Sequence, residues 1–180
     1  MKPAGEDYGF DELPARLLKV IPEIAEKYQE ELRYFGPEAF GQHIVFSDVF
    51  NPYLIDLLES NDDRDKIDRA FELIEEMARH EDAHILEVVY VTICRRLISN
   101  SLLGRAWNHM GEKTRELTWQ RVTHHPEVVD RVKFDEAKYL EAWKREVEAL
   151  GGIENLTIDA LLSIRRRLFP EFGIKVYPRA

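Results

Sequence analysis

His80-Glu81-Asp82-Ala83-His84 spells H-E-x-x-H, a pattern with a known use in metal chemistry. On a single helix the two histidines stand one turn apart on one face, where both can reach a Zn²⁺ ion. Glu81 would then act as general base on a metal-bound water. The extended zinc-protease pattern would need glycine at position 87 and histidine at position 90, where Glu87 and Tyr90 stand. His80 also falls where one helical pattern ends and the next begins. A backbone break there takes the histidines off a common face. Zinc held by His80 and His84 is therefore the alternative reading, that of a zinc-dependent hydrolase.

Other chemistry-bearing residues are sparse. His43 could join His80 and His84 in the three-histidine arrangement that small helical bundles of the damage-inducible hydrolase type use for metal. His109, His124 and His125 fall in later, loop-like stretches, and His124-His125-Pro126 reads as a turn. Cys94, the single cysteine, lies in the most apolar part of the chain and reads as a small core hydrophobe. It cannot form an internal disulfide, which fits a reducing compartment. Neither a G-x-S-x-G elbow nor a glycine-rich phosphate loop is present. Trp107, Trp119 and Trp143 read as core or rim anchors. Arg165-Arg166-Arg167 reads as the cationic end of a helix, complementing its dipole. No catalytic residue and no cofactor is favoured.

Charge is the stronger signal. Residues 1–90 carry 22 Asp and Glu against 9 Lys and Arg, whereas residues 91–180 carry 12 against 16. An acidic half repels nucleic acid and anionic membrane and speeds encounter with basic surfaces. The acids crowd residues 59–87, where Asp62, Asp63, Asp65, Glu72, Glu75, Glu76, Glu81 and Asp82 form the candidate partner-binding set. Glu72, Glu75 and Glu76 fall opposite the Ile67/Phe71/Ile74 stripe, so the pattern predicts that they project together into solvent. Such a face serves either solubility or the docking of a cationic partner.

The elements that must position these residues are helical. Asp11 can cap a short helix carrying Leu13, Leu17 and Leu18, and Pro22 suits the first turn of a second, ended by Gly36-Pro37. Ile44-Val45-Phe46 is the one β-like run and is too short for a sheet. Asn51-Pro52 reads as an N-cap with proline at N1. A turn at residues 60–63 leads to the acidic helix. Residues 82–99 are apolar nearly all round, which predicts a central helix enclosed by others. Arg95 and Arg96 suit its negative pole. A loop spans 99–111, helices follow over 112–122 and 135–150, and a last helix runs from Thr157 to Phe169, ended by Pro170. The architecture expected is all-α, a single orthogonal helical bundle over residues 1–180, with a short helical-repeat stack as the variant. The segment 173–180 is open between packing on the bundle, an edge strand and a mobile tail.

The acidic start shows no leader pattern, and no apolar run approaches the roughly 20 residues that span a bilayer. A cytoplasmic protein is expected.

From Phe46-Ser47-Asp48 and Asn51-Pro52-Tyr53-Leu54, through the acidic and apolar helices, to Met110-Gly111-Glu112-Lys113-Thr114, residues 44–122 resemble an uncharacterised family of small bacterial helical proteins. These look like the immunity partners found with polymorphic-toxin loci. The resemblance implies a non-catalytic protein that neutralises a cognate toxin. An acidic inhibitor suits a basic, nuclease-like toxin because it can occupy a cleft meant for phosphates. A helical scaffold is the remaining alternative.

Overall fold

A computed structural model describes residues 8–176; residues 1–7 and 177–180, with the acidic start and the end of the C-terminal tail, lie outside it. A 3₁₀ turn, Phe10–Glu12, leads into α1 (Leu13–Val20). The cap is Gly9 rather than Asp11: the Gly9 N–H donates to Glu12 Oε2 at 2.8 Å. Pro22 does open the next turn, Pro22–Ile24, which continues as α2 (Ala25–Phe35) and ends at Gly36.

Helix α3 (residues 42–60) departs from expectation. Its middle, Val45–Phe50, is a π-helix, and it runs without a break into Asn51–Ser60. Asn51 is therefore not an N-cap. Its backbone is helical (φ −60°, ψ −43°) and its side chain is buried. Pro52 has no N–H to give the preceding turn, and its ring crowds a carbonyl there. The wider π turn just ahead of it offers the room that keeps the helix continuous. The β-like run 44–46 lies inside this helix.

Asn61, in the left-handed conformation (φ 53°), ends α3. Asp63 then caps α4 (Arg64–Ala78), accepting from the Lys66 N–H at 3.1 Å. Ile67, Ala70, Phe71, Ile74 and Met77 form its buried stripe, as the spacing predicts. Helix α5 (residues 83–99) is the enclosed helix expected from its apolar composition. Asp82 caps it through the His84 N–H, and its middle, Val88–Cys94, is a second π-helix. That π segment packs against α4, against the π segment of α3, and against α7 (Glu112–Thr123).

The stretch predicted as a loop holds a short helix, α6 (Leu103–Trp107). Helix α7 buries Thr114, Thr118, Val122 and Thr123, so threonines make most of its inner face. Asp135 caps α8 (Glu136–Ala149), and Thr157 caps α9 (Ile158–Glu171). Pro170 sits inside the last turn of α9 instead of terminating it. Ile174 is buried and makes an isolated antiparallel bridge to Val128, so the start of the C-terminal segment packs on the bundle. Among the described residues the architecture is all-α, one compact helical body. None of these helices is long and apolar enough to cross a membrane.

Cys94 is buried, with its sulfur 3.3 Å from Thr118 Oγ1. Burial pushes its thiol up to about 11, so it stays protonated at neutral pH, consistent with a core role.

Candidate functional site

The H-E-x-x-H stretch does not form the helical pair that zinc would need. Helix α4 ends at Ala78, and Asp82 begins α5, leaving His80 and Glu81 in the turn between them. Both His80 ring nitrogens are engaged. The Asp82 N–H donates to Nδ1 at 3.0 Å, and Nε2 lies 3.0 Å from the Tyr8 carbonyl oxygen. A carbonyl only accepts, so in this arrangement the ring carries its proton on Nε2 and fastens the chain before α1 to the turn. His84 packs against Phe10, and His43 Nδ1 lies 2.7 Å from Thr92 Oγ1. Among the described residues no three of His, Cys, Asp and Glu come together as a metal-binding group.

The acidic set divides. Asp63 and Asp82 are helix caps. Glu76 holds Arg16 of α1 through two bonds, Nε to Oε1 at 3.0 Å and Nη2 to Oε2 at 2.6 Å. Glu75 reaches the start of α7. The N–H groups of Lys113 and Thr114 and the Thr114 hydroxyl all donate to it, at 3.1, 2.8 and 2.7 Å. Burial by itself would raise the Glu75 carboxyl, but these donors and the Arg79 charge outweigh it and hold it below the ordinary 4.5. Glu72, Glu75 and Glu76 therefore do not project together: Glu72 is exposed, while the other two tie α4 to α7 and α1.

What remains outward is an acidic corner where α3 turns into α4. Asp56, Glu59, Asp62 and Asp65 are exposed there, Glu72 is exposed about two turns into α4, and their carboxylates have no partner among the described residues. Glu81 is exposed farther along, in the turn before α5. Asp56 and Glu59 belong to α3 and were outside the predicted binding set. Their acidity was visible, but pairing decides which acids stay free, and pairing is tertiary.

A second feature carries no sequence signature. The two π segments face one another, and beside them opens a polar cleft of about 440 Å³. His43, Asp48, Asn51, Thr92, Arg95 and Arg96 line it. Buried Asn51 crosses from α3 to α5, donating through Nδ2 to the Thr92 carbonyl at 3.2 Å. Widened π turns recur at functional sites because they turn backbone groups out of the regular ladder. Asn51→Ala is expected to lower stability by about 1–2 kcal/mol, since it removes a buried donor from a carbonyl. Urea unfolding checks this, and an unchanged midpoint would show that this bond does not clamp the two helices. Arg95 and Arg96 stand near the C-terminal end of α5, Arg96 in its last turn as the dipole favours, and their side chains also line the cleft with no partner among the described residues.

Residues 14–125 match the model of a family described as a domain of unknown function, DUF7674. The match contains the acidic corner, the cleft and the whole of residues 44–122. No curated protein and no solved structure matches the chain.

Proposed function

This chain belongs to the DUF7674 family, and we propose that it is a non-catalytic binding protein whose acidic corner captures a basic protein partner. The observation that carries this reading is the corner itself. Asp56, Glu59, Asp62 and Asp65 are exposed about one helix–helix turn, and Glu72 about two turns farther along α4. None of them pairs with a cation of the described residues, while Arg64 and Lys66 at that turn pair with Asp68 and Asp63. Uncompensated charge of one sign steers an oppositely charged partner and raises its rate of encounter. The finer reading, an immunity protein that neutralises a cognate toxin, rests on the resemblance of residues 44–122. A basic nuclease-like toxin is the partner of matching chemistry, because carboxylates can stand in its phosphate-binding cleft.

The test uses any basic protein found to be encoded beside this chain. Replacing Glu59, Asp62, Asp65 and Glu72 with their amides is expected to slow association about tenfold at low ionic strength. At high salt, where such charges are screened, the two rates should converge. A complex that forms equally fast with the amide variant at low salt would refute the corner as the docking surface. Failure of any basic neighbour to bind would refute the immunity reading.

A further inference from the structure

Four arginines of the second half of the chain, Arg95, Arg96, Arg121 and Arg165, line two adjoining cavities at the C-terminal end of α5. A pocket of about 180 Å³ lies between α5, α7 and α9, lined by Arg95, Arg121 and Arg165 together with Ile98 and Leu161. No carboxylate lines it. Through Arg95 and Ser99 it adjoins the polar cleft, where Arg96 adds a fourth guanidinium and Asp48 the single acid. For a chain of net charge −9 this is a marked local reversal.

None of these arginines has an acidic partner among the described residues. Arg165 is the most enclosed. Its Nη2 donates to the Val122 and Arg121 carbonyls at 3.1 and 3.4 Å, at the C-terminal end of α7. Its Nε is buried with no hydrogen-bond partner. The outer members of the Arg165-Arg166-Arg167 run, which stands before the last turn of α9, thus serve contacts with other helices: Arg165 points to α7, and Arg167 pairs with Glu146 of α8. Arg121 lies over the Tyr90 ring, 5.2 Å from its centroid, which fixes it beside the pocket. Burial, and then the charges of Arg121 and Arg165, lower the pKa of nearby His124, as a positive local potential should.

Guanidinium groups suit tetrahedral oxyanions because their rigid N–H forks match two oxygens at once. A partly buried cation without a counter-ion is costly, and an anion seated against Arg165, with Arg121 and the exposed Arg95 beside it, would offset that cost. A volume near 180 Å³ admits a phosphate group, and the adjoining cleft gives whatever that phosphate is attached to a way out. We propose that this pocket binds the phosphate of a small phosphorylated ligand, with Arg95, Arg121 and Arg165 as its anion ligands. The site is separate from the acidic corner and stands independently of the partner assigned there.

Inorganic phosphate is the probe, titrated at constant ionic strength into the whole chain and followed by calorimetry and thermal unfolding. Saturable binding with a rising Tm is expected. Arg95→Gln, at an exposed side chain, should weaken it about tenfold, and Arg121→Gln should do the same. Arg64→Gln, on the exposed start of α4, should leave it unchanged. Absence of saturable binding to the wild-type chain would overturn the proposal. So would equal weakening by Arg64→Gln, which would mean diffuse charge rather than a site. Acetate binding as tightly as phosphate would overturn the assignment to phosphate.

Discussion

Glu75→Ala is expected to destabilise the fold by about 3 kcal/mol, through loss of a helix cap that comes from another helix. The carboxylate receives two backbone N–H groups and one hydroxyl at the start of α7. Hydrogen bonds to a charged group contribute about 1.5–3 kcal/mol, and losing an N-cap alone costs about 1 kcal/mol. The Arg79 pair lies on an exposed side chain and adds little. For a domain of this size the loss corresponds to a Tm lower by roughly 6–12 °C. Thermal unfolding checks it.

The same residue gives a pH signature. Its folded pKa lies below the ordinary value, so its contribution is fully present above about pH 4.5 and disappears as pH falls through the folded value. Wild type and Glu75→Gln should therefore converge in stability under acid and separate toward neutrality. A constant difference across that range would mean that the carboxylate charge is not what caps α7.

Gly111 belongs to this device. A Cβ there would stand 2.3 Å from Glu75 Cδ and 2.5 Å from its Oε2. Gly111→Ala should consequently displace the carboxylate and reproduce much of the Glu75→Ala loss. In a double-mutant cycle it should cost far less once Glu75 is already alanine, because the two changes break one contact.

Gly104→Ala should destabilise by about 2–3 kcal/mol or more, against the sign that helix propensity gives. Gly104 lies within α6, where alanine ordinarily gains about 1 kcal/mol over glycine. Here α6 presses on the 3₁₀ turn Ile153–Asn155, and an added Cβ would fall 2.0 Å from the Glu154 carbonyl oxygen. A backbone oxygen cannot swing aside as a side chain can. The turn between α8 and α9 would have to move, and overpacking of this kind commonly costs 1–3 kcal/mol. Chemical denaturation measures the sign directly: a stabilised variant would mean that α6 and the turn are not in contact.

Much of the helical layout was legible because it is written in local periodicity. The Ile67/Phe71/Ile74 stripe and the apolar run 85–98 each repeat within one helix, so burial follows from spacing alone. Asp63, Asp82, Asp135 and Thr157 likewise act on backbone within three residues of themselves. Asn51-Pro52 failed as a start signal because a proline reads the same at a first turn and behind a π turn. The choice between them depends on the packing of α3 against α5.

The sites were less legible for a related reason. Eleven acids stand between residues 59 and 87, and in sequence they look alike. Only the fold makes Glu75 a cap for α7 and Glu76 a clamp for α1, while leaving Asp62, Asp65 and Glu72 to solvent. His80 and His84 match a motif in spacing, yet the break between α4 and α5 separates them, and Tyr8, 72 residues away, takes up His80. Arg95, Arg121 and Arg165 are distant in sequence, and three separate helices bring them to one pocket.

The sequence by itself determined the helical class, the central apolar helix and the acidic bias of the first half, because periodicity and net charge survive without coordinates. Tertiary structure alone decided which charges are spent on holding helices together and which remain to meet a partner. The physical reason is that a charged side chain's role is set by what lies within a few ångströms of it, and in this fold those neighbours come from elsewhere in the chain.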